Sequence, residues 1–170
     1  MAKEQFTDAI MLLRADHEEV KGLFDQFENA SGTERKRQIA ERICNELKIH
    51  SMIEEEIFYP AFRGQIEDDM LDEAIVEHDG AKVLINDIMS GGADEDFYDA
   101  KVKVLSEEIE HHVEEEEKRS EGMFAQARDT DVDLVELRDR MAARKEELMA
   151  RAESGGLPPA ELTAVQQQPA

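Results

Sequence analysis

Tryptophan is absent, cysteine occurs once, and aromatic residues make up only 5% of the 170-residue chain. A single cysteine, Cys44, excludes an intramolecular disulfide and any thiolate-rich metal set. Beside Ile43 it reads as a helix-core residue. Glycine and proline are scarce before residue 154, and Glu, Leu, Ala, Lys and Met dominate, which favours helices over strands. No apolar run approaches the roughly 18 residues needed to cross a bilayer, and the N-terminal stretch is interrupted by charges throughout. A cytoplasmic protein is therefore expected. Positive charge is also in short supply: 20 Lys and Arg face 42 Asp and Glu, a formal net charge of −22. Such a chain repels phosphate backbones and anionic membranes, so nucleic-acid and membrane partners are not expected, and cations are preferred.

What is there is helical period. Positions Phe6, Ile10, Leu13, His17, Val20, Phe24 and Phe27 recur in steps of three or four, predicting helix A from about Phe6 to Asn29 with Thr7 as its N-cap. Helix B is expected from Thr33 to Phe62, with Pro60 bending or closing its last turn. Helix C follows from about Asp68 to Met89, and helix D from Asp96 to Arg128. Leu134, Leu137, Met141 and Leu148 form a thin stripe on a charged fifth helix ending near Arg151, which could dock on the bundle or pair with a second copy or another protein. The last segment, with Gly-Gly, Pro-Pro and Gln-Gln-Gln, has no sustained period and is expected to be disordered. The division is thus a bundle over 1–128, an added helix over 129–152 and a tail over 153–170. The fold class expected is all-α, an antiparallel up-down four-helix bundle.

Each of the four bundle helices carries a polar residue in the middle of its apolar stripe. On helix B, His50 and Glu54 are four residues apart and share one face, in phase with Ile43 and Leu47. On helix D the spacing recurs as His112 and Glu116, in phase with Leu105 and Ile109, whereas the adjacent His111 falls about 100° away. Helices A and C each contribute one inward histidine, His17 and His78. Glu55 and Glu56, and Glu114, Glu115 and Glu117, are out of phase and read as solvated. Tyr59, Tyr98 and the methionines, among them Met11, Met52, Met89 and Met123, read as packing residues. Four imidazoles and two carboxylates are too many polar groups to bury unpartnered, so a metal site is favoured over a metal-free hydrogen-bonded network. Six such donors suit two ions. Imidazole and carboxylate without thiolate favour iron, with manganese or zinc as alternatives. The ferritin-type pattern of Glu-x-x-His on two helices fails here, since its one useful match is Glu108 with His111. No His-Glu-x-x-His motif and no glycine-rich phosphate loop is present.

Asp16-His17, His50 to Glu55 followed by Tyr59-Pro60, Glu77-His78, and His111 to Glu116 together resemble the hemerythrin-like, or HHE cation-binding, domain family over about residues 6–127. The resemblance implies a four-helix bundle around a carboxylate-bridged non-haem pair of irons, with ligands falling on His17, His50, Glu54, His78, His112 and Glu116. Oxygen-carrying members place a second histidine four residues from the first on helix C, where this chain has Ala74 and Lys82. The family's usual proline at the close of the fourth helix is also missing. These departures imply an open position at one iron and a reaction with, or sensing of, oxygen, peroxide or nitric oxide. Reversible oxygen storage and a non-enzymatic iron-binding or regulatory module are the alternatives.

Overall fold

The computed structural model describes residues 6–166. Its helices are α1 (Ala9–Glu28), α2 (Thr33–Ile53), a π turn (Glu54–Phe58) leading into α3 (Tyr59–Phe62), α4 (Asp68–Ser90), α5 (Tyr98–Glu117), α6 (Met123–Arg128) and α7 (Leu134–Ser154). The bundle is formed by α1, α2 with α3, α4, and α5, joined by short connections. α1 packs on α2 and α4 on α5, as adjacent antiparallel helices do. The cap of α1 is Asp8, not Thr7: its Oδ1 accepts the Met11 N–H at 2.9 Å. α7 is capped in the same way by Asp133, which accepts from Val135 and Glu136.

The expected helix B is continuous in direction but not in pitch. Tyr59 N–H reaches back five residues to the Glu54 carbonyl, making one wide turn just before Pro60. A proline ring clashes with the carbonyl four residues before it, and widening the turn gives it room. The helix then carries on to Phe62 with Pro60 on the exposed side.

The expected helix D is broken. α5 stops at Glu117, Ser120 takes a left-handed φ of 59°, and Gly122 N–H closes the turn on the Lys118 carbonyl at 3.0 Å. A Cβ on Gly122 would lie 2.4 Å from that carbonyl oxygen, so only glycine fits where the chain turns back into α6.

The apolar core is in two parts. One contains Leu13, Ile53, Phe58, Phe62, Leu71, Met123 and Phe124, and the other contains Val20, Ile43, Leu47, Ala81, Ile85, Val102 and Leu105. Along α1, α2 and α4 the chain passes from one part to the other through His17, His50 and His78 respectively, so a polar layer crosses the bundle between two apolar ends. Cys44 and Tyr98 lie in the second part, and burial pushes the Cys44 thiol up to about 12. Of the methionines, Met123 is buried, Met52 is half-buried, and Met11 and Met89 are exposed.

α7 docks on α1 and α2 of its own chain, burying Leu137, Met141, Ala142 and Leu148 in the first core part. Its stripe is therefore spent within the chain, and α7 belongs to the same body as the bundle. Beyond it, residues 155–166 hold no helix or strand, in keeping with their composition, but they are not disordered as expected: hydrogen bonds with Lys48, Asp79, Lys82 and Asn86 fasten them across α2 and α4. Residues 167–170 of that expected tail lie outside the described residues. Among the described residues no helix is long and apolar enough to cross a membrane.

Candidate metal centre

The polar layer brings His17, His50, Glu54, His78, His112 and Glu116 together, every one of them 7% exposed or less. They fall into two groups, His17 and His50 with both glutamates, and His78 and His112 with the same two glutamates. Within each group the four donor atoms lie within 4.8 Å of one another. His50 Nε2 stands 2.5 Å from Glu54 Oε1, His112 Nε2 3.0 Å from Glu116 Oε1, and His17 Nε2 3.3 Å from Glu116 Oε2. His111, by contrast, has 64% of its side chain exposed and pairs with Glu77.

All four imidazoles are oriented by a carboxylate behind them. Nδ1 of His50 donates to Asp16 at 3.0 Å, that of His112 to Glu77 at 2.9 Å, that of His78 to Glu55 at 3.2 Å, and that of His17 to Glu117 at 3.3 Å. A carboxylate only accepts, so each Nδ1 carries the proton and each Nε2 is turned into the layer. Such outer partners fix the ring and raise its basicity toward a metal. Each is a chain neighbour of a residue in the cluster but serves a histidine on another helix. Asp16 in turn is paired with Lys145 of α7.

Two of these outer groups, Glu55 and Glu117, are residues that the helical phase assigns to solvent. Glu55, within the π turn, is turned inward to His78 and to Lys82 at 2.8 Å. Glu117 ends α5 against α1 and also holds Arg14 at 2.7 Å. Glu56, Glu114 and Glu115 are exposed, as their phase implies. Tyr59 packs, but it also acts on the layer. The π turn carries its hydroxyl inward to donate to Glu116 Oε1 at 2.7 Å, 3.3 Å from His78 Nε2. Burial, and then the charges of Glu116 and Glu54, push its hydroxyl well above the ordinary tyrosine range, so it stays a donor. On the opposite side Phe124 stacks on His17 with ring centroids 5.8 Å apart.

Five buried atoms in the layer make no well-aligned hydrogen bond, namely His17 Nε2, His50 Nε2, both oxygens of Glu54, and Glu116 Oε2, although His50 lies against Glu54 and His17 against Glu116 as close ion pairs. Orphaned polar atoms of this kind are costly unless something else is bound between them. The donor set therefore fits cations. Without one, protons take the same places. Burial would lower His50, but Glu54 and Asp16 raise it to about 10, and His112 is likewise held well above the ordinary histidine range against burial, first by Glu116. Glu116 would be raised by burial, yet His112 and His17 hold it well below the usual carboxylate range. Glu54 is lowered as well and His17 is raised, against burial, by Glu116 and Glu117, so both glutamates are ionised at neutral pH while His17, His50 and His112 have protons to lose before offering Nε2 to a metal. Loading metal at pH 7 is therefore expected to release protons, read by indicator dye or calorimetry in buffers of different ionisation enthalpy. Release of none would contradict the assignment of these imidazoles as ligands.

A four-helix bundle with a buried histidine–carboxylate layer, arranged as two clusters sharing two glutamates, defines a cation-binding helical protein. The model of the hemerythrin HHE cation-binding domain family matches residues 8–127, and the chain belongs to that family. The structure is also similar to the crystal structure of a hemerythrin HHE cation-binding domain-containing protein from Mycobacterium kansasii, with a TM-score of 0.72 at 23% identity, over 89% of this chain and 96% of that one. At that identity the likeness speaks for the fold. No curated protein matches the sequence significantly.

Proposed function

We propose that the chain holds two irons between Glu54 and Glu116 and uses them to react with, or sense, a small ligand such as oxygen, peroxide or nitric oxide. The observation that carries this reading is the pair of clusters sharing both glutamates, each cluster completed by two histidines. His17 and His50 would hold one ion and His78 and His112 the other, with Glu54 and Glu116 reaching both. Histidine and carboxylate donors with positions left open are the set of non-haem ferrous oxygen chemistry. Bound there, the metal pair would supply reducing equivalents and Lewis acidity to the small ligand.

The chain's own residues limit what can reach the centre. A cavity of about 30 Å³ adjoins the histidines, walled on its other side by Val20, Leu47, Ala81, Ile85, Ile109 and Val113. A water needs about 10–15 Å³ on that scale, so the space suits a ligand of two or three atoms and no organic substrate. The apolar wall keeps water scarce, and Tyr59 holds a proton at Glu116 Oε1. Ala74, in place of a further histidine on α4, offers no additional donor on the side of His78.

The reading is tested by loading the metal-free protein anaerobically with ferrous iron, admitting oxygen, and removing it again. Near-ultraviolet charge-transfer absorption is expected to appear and to persist until a reductant is added. Absorption that vanishes on deoxygenation would mean reversible carriage instead, and a protein that retains no iron would contradict the iron assignment.

A further inference from the structure

The family match ends at residue 127, yet the chain beyond it is tied into the centre at two depths. α7 reaches Asp16 through Lys145, and the coil after α7 reaches Glu55 through Thr163, whose hydroxyl donates to Glu55 Oε1 at 2.5 Å. That coil is fastened at three places. Lys48 donates to the Pro158 carbonyl at 3.0 Å. Asn86 exchanges two hydrogen bonds with the backbone of Ala160, at 2.8 and 2.9 Å. Asp79, fully buried, accepts the consecutive N–H groups of Thr163, Ala164 and Val165 at 2.7 to 2.8 Å. An ionised acceptor for three backbone donors is a strong catch, and a charge-assisted one.

Beneath the coil lies a chamber of about 340 Å³, floored by Lys48, Ser51, Glu55 and Lys82 and roofed by residues 157–163. Ser51 and Lys82 also line the 30 Å³ cavity beside the histidines, so these two side chains form the partition between the chamber and the centre. Lys82 is buried, and its ammonium is held by Glu55 at 2.8 Å, by the Thr163 hydroxyl at 3.2 Å and by Asp79 at 3.4 Å. The partition and the roof thus share Asp79 and Thr163. Lifting the roof removes one of the partners that hold Lys82 across the passage.

We propose that residues 158–165 are a latched roof over the ligand's route to the centre, with Asp79 and Asn86 as the catches and Lys82 with Ser51 as the inner gate. The gating rests on the small-ligand reading of the histidine–carboxylate layer, whereas the latch itself does not. A gate changes how fast a ligand passes in either direction without changing how tightly it is held, because it leaves the two end states alike.

The test uses the full chain and two variants, Asp79→Ala and Asn86→Ala. Asn86 lies two turns from His78 and touches none of the six clustered residues, so its loss frees the roof without altering them. Stopped-flow binding of nitric oxide to ferrous-loaded protein is expected to show association and dissociation both faster by about tenfold or more in each variant, with Kd unchanged. Rates equal to those of the parent, or a change in Kd without a matching change in both rates, would overturn the gate. Hydrogen exchange at the Thr163, Ala164 and Val165 amides, followed on metal-free protein, reads the latch separately. Protection in the parent that is lost in Asp79→Ala is expected, and exchange in the parent at the rate of an unfolded peptide would overturn it. A parent that holds no iron but shows this protection would contradict the metal reading and uphold the latch.

Discussion

Removing the metal from loaded protein with a chelator is expected to lower its melting temperature by about 10–15 °C. Metal that binds the folded chain alone stabilises it by mass action, about 4 kcal/mol at a thousandfold excess over Kd. For a domain of this size each kcal/mol moves the midpoint by about 2–4 °C. The physical source is the set of poorly paired atoms, Glu54 Oε1 and Oε2 above all, which would face the ions in the loaded state and otherwise lie buried beside the Glu116 charge, offset by His50. The size of the drop is expected to depend on pH. In the metal-free chain His50 is raised from 6.5 to about 10, so its ion pairs contribute stability that is complete below pH 6.5 and lost as pH climbs toward 10. Glu54 and Glu116 are lowered from 4.5, so their contribution is present above that value and lost as pH falls through their depressed range. Rising pH therefore weakens the metal-free form while freeing Nε2 for metal, and the drop measured by calorimetry should be larger at pH 8 than at pH 6. A drop that is absent, or larger at pH 6, would contradict this linkage.

Glu54→Ala and Glu116→Ala are each expected to reduce bound iron from two per chain to one or none, with the helices retained by circular dichroism. Each carboxylate belongs to both clusters, so its loss would remove a donor from two ions at once and leave each with a single shared carboxylate. Asp16→Asn and Glu77→Gln act one layer out. They leave all six proposed ligands in place but remove the anion behind His50 or His112, and about a 10- to 100-fold loss of affinity is expected. That ordering, severe for Glu54 and Glu116 and graded for Asp16 and Glu77, distinguishes a metal centre from a buried hydrogen-bonded network. Atomic absorption on the purified variants reads it. Full iron occupancy in both alanine variants would sink the ligand assignment.

Much of the fold was legible because its signals are local. A period of three to four apolar positions sets the bundle helices, and a histidine four residues before a glutamate shares its face whatever packs opposite. The inward phase of His50, Glu54, His112 and Glu116 could thus be read from spacing. The outer shell could not. Asp16, Glu55, Glu77 and Glu117 sit one position off the apolar stripe, where a carboxylate normally meets water, and only the placement of a second helix turns each toward an imidazole. The doublets Asp16-His17, Glu54-Glu55, Glu77-His78 and Glu116-Glu117 are the trace they leave in the sequence. Tyr59 was hidden by pitch, since a phase counted at 3.6 residues per turn does not survive a turn closed from Tyr59 to Glu54. Residues 155–166 have a linker's composition and no period, and their order comes from Asp79 and Asn86, two polar residues of α4 that no local pattern marks as catches.

The most direct test of a shared two-metal centre is an anomalous-scattering map at the iron edge from crystals of the loaded protein. Two peaks are expected, one against Nε2 of His17 and His50, the other against Nε2 of His78 and His112, with the carboxylates of Glu54 and Glu116 between them. One peak, or none within the layer, would contradict it.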